Sequence, residues 1–213
     1  MKLPAKTLER KLFKSGYRYV IGVDEVGMGC LAGPVVVCAT SFNKNFYTKS
    51  HKDLDGLRES KLLSPHQREY FAKKLMVEKD LRFKLTYCYP KTIDKLNIYN
   101  AARRAMKKAV QNLRLNLKLK TIVLIDGKTK IKGLDMEQQA IIKGDRKIFA
   151  IACASIIAKV YRDKMMARYA KKYPGYGFEK HKGYGTKYHQ VQLMALGPCA
   201  IHRKSFAPIG KLL

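Results

Sequence analysis

A chain of 213 residues, 46% of them hydrophobic, is long enough to bury a substantial core within one domain. Its 44 Lys and Arg against 16 Asp and Glu leave a formal net charge of +28, which calls for a polyanionic partner, because clustered cations gain affinity by releasing counterions from phosphates. Five scattered cysteines without a Cys-x-x-Cys pair exclude a disulfide framework or a thiolate zinc site, and the longest apolar run, Ile148 to Ala158, is too short to span a bilayer. No apolar stretch near the basic N-terminus suits a secretion signal, so a soluble cytoplasmic protein with no membrane partner is expected.

After the basic lead-in, residues 18–24 and 34–42 read as two strands rich in Val, Ile and Tyr, joined by a loop with glycines at 27, 29 and 33. Residues 43–63 are polar and mixed, and are expected to form a surface loop. Ser64-Pro65 then starts a helix, with Ser64 as N-cap and Pro65 in the first turn, running to about Lys79. Residues 81–89 alternate as a third strand. From Thr92 to Leu117, Ile93, Leu96, Ala101, Ala105, Ala109 and Leu113 form one apolar stripe, which predicts a single long helix. Thr121 to Ile125 is the continuous β-branched and Leu run of a strand covered on both faces. A shorter apolar run at 140–142 ends in Lys143-Gly144-Asp145, and a helix of about 25 residues follows to Lys172. The last forty residues are basic and aromatic, with a helix near 187–196. Strands interleaved with helices predict one α/β domain over 1–213 with a mixed central sheet. Residues 173–213 are expected to form a small helical, basic extension to it that contacts a substrate.

The few acidic residues carry most of the chemical information. Asp24, Glu25, Asp126 and Asp145 each stand where an apolar run meets glycine. In α/β sheets, sites form at the carboxyl ends of strands, so such ends can converge on one crevice. Four carboxylates converging in a low-dielectric pocket repel one another, and divalent cations relieve that repulsion. A pair of such ions about 4 Å apart is a recurring device for phosphodiester chemistry. Taken singly, Asp145 also fits a helix cap and Asp126 an Asp-Gly turn. Side-chain alternation keeps Asp24 and Glu25 from sharing a face unless their strand ends there, and the glycines predict that it does.

Other catalytic patterns fit poorly. The glycine spacing after Gly27 misses the dinucleotide fingerprint, and there is no P-loop, nucleophile elbow or His-Glu-x-x-His. The five histidines show no ligand spacing and most read as surface residues, with His181 and His189 able to reach phosphate. The segment 173–187 mixes Tyr and Phe rings with Lys and His. It reads either as a loop packing its own rings or as a surface where rings stack on nucleic acid while cations hold the backbone.

The ordered motifs Asp24-Glu25-Val26-Gly27-x-Gly29, Leu31-Ala32-Gly33-Pro34, Glu59-Ser60-Lys61, Leu124-Ile125-Asp126-Gly127, Lys143-Gly144-Asp145, Ala154-Ser155-Ile156-Ile157-Ala158-Lys159-Val160-x-Arg162-Asp163, His181-Lys182-Gly183-Tyr184-Gly185-Thr186 and Arg203-Lys204-Ser205-Phe206 closely resemble bacterial ribonuclease HII. The resemblance implies a ribonuclease H-like fold and an endonuclease, acting as a monomer, that cuts the RNA strand of RNA–DNA hybrids and the 5′ side of single ribonucleotides in duplex DNA. It implies Asp24, Glu25, Asp126 and Asp145 as the catalytic ligands of two Mg2+ or Mn2+ ions. It implies Gly27, Met28 and Gly29 as a loop whose backbone senses the ribose 2′-hydroxyl, and Tyr184 as a ring against the sugar. Lys61, Ser155, Lys159, His181 and Lys182 join them as substrate contacts. One position departs from the family pattern, Met28 standing where the family loop has Arg. A non-catalytic hybrid-binding protein with the same fold and charge is the alternative.

Overall fold

The computed structural model describes residues 3–212. In chain order the elements are α1 (Thr7–Lys14), β1 (Tyr19–Val26), β2 (Val35–Phe42), α2 (Pro65–Val77), β3 (Leu81–Cys88), α3 (Pro90–Leu96), α4 (Ile98–Gln111), β4 (Thr121–Asp126) and β5 (Glu137–Ile141). They continue with α5 (Gly144–Lys147), α6 (Phe149–Lys172), α7 (Phe178–His181), α8 (Lys187–Leu196) and α9 (Ala207–Gly210). The strands form one sheet in the order β3-β2-β1-β4-β5, with β1–β2 and β2–β3 antiparallel and β1–β4 and β4–β5 parallel. The mixed α/β sheet expected from the sequence is therefore present.

Strand alternation sends the apolar residues of β1 and β4 to both faces of the sheet, and both faces are covered. Val20, Ile122 and Leu124 pack with Ile151 and Cys153 of α6 on one face. On the other, Ile21, Val23, Val123 and Ile125 pack with Ala101, Ala105 and Ala109 of α4. The small residues of α6 bring it very close to the sheet. A Cβ added at Gly22 would lie 2.5 Å from the Ala150 carbonyl carbon and 2.6 Å from the Ile151 nitrogen. Ala150 is also fixed from two sides: Thr40 Oγ1 donates to its carbonyl at 2.8 Å, and its N–H donates to Glu9 Oε1 at 3.1 Å.

Glu9 is fully buried and takes one of the N–H groups that the first turn of α6 leaves free, while its Oε2 has no partner among the described residues. Burial pushes its carboxyl up to about 7 from an ordinary value of 4.5. Between those values the folded protein keeps a proton that the unfolded chain releases, so stability falls as pH rises from 4.5 to 7. Glu9→Gln keeps an acceptor for Ala150 and removes this titration. The wild type is expected to lose about 3 kcal/mol relative to the variant across that window. Urea unfolding of both proteins at pH 5 and pH 7.5 measures it, and a constant difference between them would refute it.

Several elements depart from the sequence reading. β1 continues through Glu25 to Val26, because Glu25 and Val26 still pair with Val37 and Val36 of β2. The helix expected over 92–117 is two helices, broken at Asn97, which adopts φ +64° and caps α4 by accepting from the Asn100 N–H. It stops at Gln111, and Leu115 and Leu117 still pack on the α4-side core from the loop that follows. The helix of about 25 residues expected to end at Lys172 is α6, with 24 residues, and the short α5 precedes it across an extended Ile148. The strand β5 includes the polar residues Glu137 to Gln139, which an edge strand tolerates. The segment 43–63 is not a plain surface loop. Phe46 and Tyr47 are buried, and Phe46 packs against Phe42 and Phe149. Ser64 caps α2 as the sequence predicts, the Gln67 side chain closes a capping box with it, and α2 ends at Val77 rather than 79.

Candidate active site

The parallel pair β1–β4 ends with Val23 beside Ile125, which leaves Asp24 and Asp126 at equivalent positions of neighbouring strands. Asp126 Oδ1 accepts the Gly144 N–H at 2.7 Å, and this ties the turn after β5, with Asp145 in it, to the end of β4. Packing at Gly144 is close: a Cβ there would lie 2.7 Å from Ile151 Cδ1 and 3.3 Å from Asp126 Oδ1, so Ile151 would have to shift. The Glu25 N–H donates to Asp24 Oδ1 at 2.8 Å. One cleft thus holds Asp24, Glu25, Asp126 and Asp145, although Asp24 and Glu25 are successive residues of a continuing strand.

Electrostatics in this cleft are dominated by unpaired negative charge. Burial, then repulsion from Glu25 and Asp126, holds the Asp24 carboxyl well above the usual range. Burial and Asp126 push Glu25 up to about 7, and the same two causes push Asp145 up to about 6. Lys61 is the positive neighbour of both Glu25 and Asp145. Glu25 Oε2 is buried without a hydrogen-bond partner among the described residues. No three acidic, His or Cys side chains among those residues close into a ready-made ligand cage. An open set of carboxylate oxygens, one of them orphaned, fits hard divalent cations that keep waters and take further oxygens from a substrate. Asp145 does not cap a helix: Lys143, in a left-handed conformation, holds that position.

Beside the carboxylates runs the loop Gly27-Met28-Gly29, and the cleft is completed by Lys61, Ser155, Lys159 and Tyr184. Ser155 lines the cleft with Asp24, and its hydroxyl lies 2.9 Å from that of Ser60. Sequence reasoning missed Ser60 and Arg68 as lining residues. Arg68 donates to the carbonyls of Ser60 and Leu63 at 2.9 and 2.6 Å, and so braces the segment that carries Lys61. It lies on α2 outside the quoted motifs, and only its position one helical turn after the Ser64 cap could have drawn notice. His181 and Lys182 line an adjoining cleft that shares Arg68, Lys159 and Tyr184 with the first. Met28 lines the cleft and also packs against the apolar cluster of the α4 face.

The loop is held from behind by two fully buried arginines. Arg162 donates to the carbonyls of Pro34, Lys182 and Ala32 at 2.9, 2.8 and 3.1 Å. Arg203 donates to those of Gly33, Met28 and Gly27 at 3.0, 2.9 and 2.6 Å. Gly27 adopts φ +95°, and a side chain there would collide with the Arg162 guanidinium. Both arginines stand inside quoted motifs, yet nothing in the sequence alone gives them this role.

The aromatic segment resolves into an inner and an outer part. Tyr176 and Phe178 are buried and pack on His202, while Tyr184 is 38% exposed at the cleft. The expectation of surface histidines fails for His189 and His202, which are buried with their Nε2 atoms 3.1 Å apart. His202 Nδ1 accepts the Cys199 N–H and His189 Nδ1 meets the Tyr184 carbonyl at 2.9 Å, so the one proton between the rings lies on His202 Nε2. Burial and the His189 neighbour bring the His202 imidazole down to about 4. His189 therefore faces Tyr184 from inside and does not reach a phosphate.

Comparison with known proteins adds four findings. A family profile described as Ribonuclease HII matches residues 21–209. The ribonuclease HII of Caldicellulosiruptor saccharolyticus is 46% identical over 199 residues, spanning 93% of this chain and 92% of that protein. Among solved structures, the ribonuclease H2 of Pyrococcus horikoshii aligns with a TM-score of 0.74 at 26% identity, over 91% of this chain and 96% of its own. A Bst ribonuclease HIII solved in complex with Mn2+ shares the fold with a TM-score of 0.65 at 19% identity, over 91% of this chain and 68% of its own. Among the described residues, no helix is long and apolar enough to cross a membrane.

Proposed function

This chain belongs to the ribonuclease HII family, and from that premise we propose that its cleft hydrolyses the phosphodiester on the 5′ side of a ribonucleotide, leaving 3′-hydroxyl and 5′-phosphate ends. As a ribonuclease H it acts on the RNA strand of RNA–DNA hybrids, and the reading extends to single ribonucleotides set in duplex DNA. The observation that carries it is one cleft holding Asp24, Glu25, Asp126 and Asp145 beside the Gly27–Gly29 loop. Two divalent ions, Mg2+ or Mn2+, held by these four carboxylates would supply Lewis acidity at the phosphate and a water of lowered pKa.

The protein's own groups do the rest. Lys61 and Lys159 meet the phosphates on either side of the carboxylates, Ser155 steadies Asp24, and Tyr184 lays its ring against the sugar. His181 and Lys182 extend the contact into the adjoining cleft. The Gly27, Met28 and Gly29 backbone reads the ribose hydroxyl, which Met28 permits because its side chain is engaged in packing. The excess of cations tracks the remaining backbone of the duplex. In this reading the chain works as one monomeric domain, with residues 173–213 on the substrate. It removes ribonucleotides and RNA primers during replication and repair in the cytoplasm.

Incubating the purified protein with a duplex that carries one ribonucleotide is the direct test. A single cut on the 5′ side is expected with Mg2+ or Mn2+ and none in EDTA. Binding without any metal-dependent cut would refute the reading.

A further inference from the structure

We propose that Arg203 is a positioning residue that sets the preference of the cleft for a sugar bearing a 2′-hydroxyl, by fixing which way the Gly27–Gly29 peptides face. The inference rests on the reading of that loop given above.

Its basis is the geometry of planar trans peptides. In such a unit the C=O and the following N–H point in opposite directions. Arg203 takes the Gly27 carbonyl at 2.6 Å and the Met28 carbonyl at 2.9 Å. The Met28 and Gly29 N–H groups therefore point away from Arg203, and both residues line the cleft. No backbone carbonyl among the described residues takes up either N–H. A Cβ built on Gly29 meets nothing within 4 Å, so that end of the loop faces open space. Two adjacent donors free to meet a hydroxyl oxygen are what recognition of a ribose needs.

The means used is out of proportion to holding a loop. The Arg203 guanidinium is wholly buried, and no carboxylate among the described residues lies within ion-pair distance of it. Burying a charge without a counter-ion is costly unless its donors are satisfied. Here three carbonyl oxygens of one loop satisfy it, the third being Gly33 at 3.0 Å. A planar fork is suited to two neighbouring acceptors in a way that an ammonium is not. The segment is docked by backbone as well: the Gly33 N–H donates to the Ile201 carbonyl at 2.8 Å and the Arg203 N–H to that of Leu31 at 2.9 Å. Register between the segment and the loop therefore survives a change of the side chain.

The experiment compares wild type with Arg203→Lys and with Arg203→Gln, which keeps amide donors without the charge. Steady-state cleavage is measured on a duplex with one ribonucleotide, and binding without divalent ion on that duplex and on the all-DNA duplex of the same sequence. Each variant is expected to raise KM and weaken ribonucleotide-duplex binding by about tenfold, the loss of one or two hydrogen bonds. All-DNA binding should stay within about twofold and kcat within about threefold. A folded variant that keeps the wild-type ratio of ribonucleotide to all-DNA affinity overturns the role of Arg203. So does an equal loss on both duplexes, which marks a purely structural clamp. If the wild type itself neither cuts nor prefers the ribonucleotide duplex, it is the reading of the cleft that fails.

Discussion

Asp24→Asn is expected to lower the cleavage rate at least about 10³-fold while leaving hybrid binding without metal within about threefold. The side chain keeps its shape, so the loss isolates the charge. Affinity survives because the duplex is held by Lys and Arg spread over a +28 surface rather than by the carboxylates. The same substitution should raise stability. Asp24 is buried among Glu25, Asp126 and Asp145, and its ionised form is opposed both by burial and by those neighbours. Removing one member of a repelling group is expected to add about 1–2 kcal/mol, or a few degrees in Tm for a chain of this size. Asp126→Asn should behave alike in activity. Single-turnover kinetics beside thermal unfolding checks both halves. A variant that is inactive and also less stable would mean that Asp24 holds the fold together and not a reactive centre.

Gly22→Ala is the most damaging single change expected for the fold. The added Cβ would meet backbone atoms of Ala150 and Ile151, and these cannot rotate aside as a side chain can. Ala150 is anchored by Thr40 and Glu9, so α6 cannot back away without breaking both hydrogen bonds. A loss of about 3 kcal/mol or more follows, lowering Tm by roughly 6–12 °C. Gly16→Ala provides the contrast. Nothing lies within 4 Å of its Cβ, and only its φ of +86° opposes the change, at about 1 kcal/mol. Comparable Tm values for the two variants would show that α6 does not sit on β1 as described.

What the sequence could and could not reveal follows from the range of the interactions involved. The buried strands, the Ser64 cap and the acids at strand ends were legible because alternation, capping and solvation act within a few residues. The break at Asn97 was hidden, since the apolar stripe runs on across it while one residue turns left-handed. β5 was only half visible, because an edge strand is held by its hydrogen bonds to β4 and not by an apolar pattern. The buried histidines were misjudged for a related reason. Their polar atoms are satisfied by Cys199, Tyr184 and one another, partners that no spacing rule connects. The four carboxylates could be picked out together only because acids are so scarce on this chain. The arginines behind the loop were present in the motifs, but all of their acceptors except the Lys182 carbonyl lie 128–176 residues away.

That separation bears on how the protein is made. β1 and its two acids leave the ribosome early, whereas the guanidinium that turns the Gly27–Gly29 peptides is added some 175 residues later. Non-local contacts of this kind form late, after the cost of closing a long loop has been met. A chain cut short before residue 203 can therefore pair all five strands while lacking the contact that Arg203 makes to the Gly27–Gly29 loop. On the role proposed for Arg203, such a chain is expected to bind nucleic acid through its charge without preferring the ribonucleotide duplex.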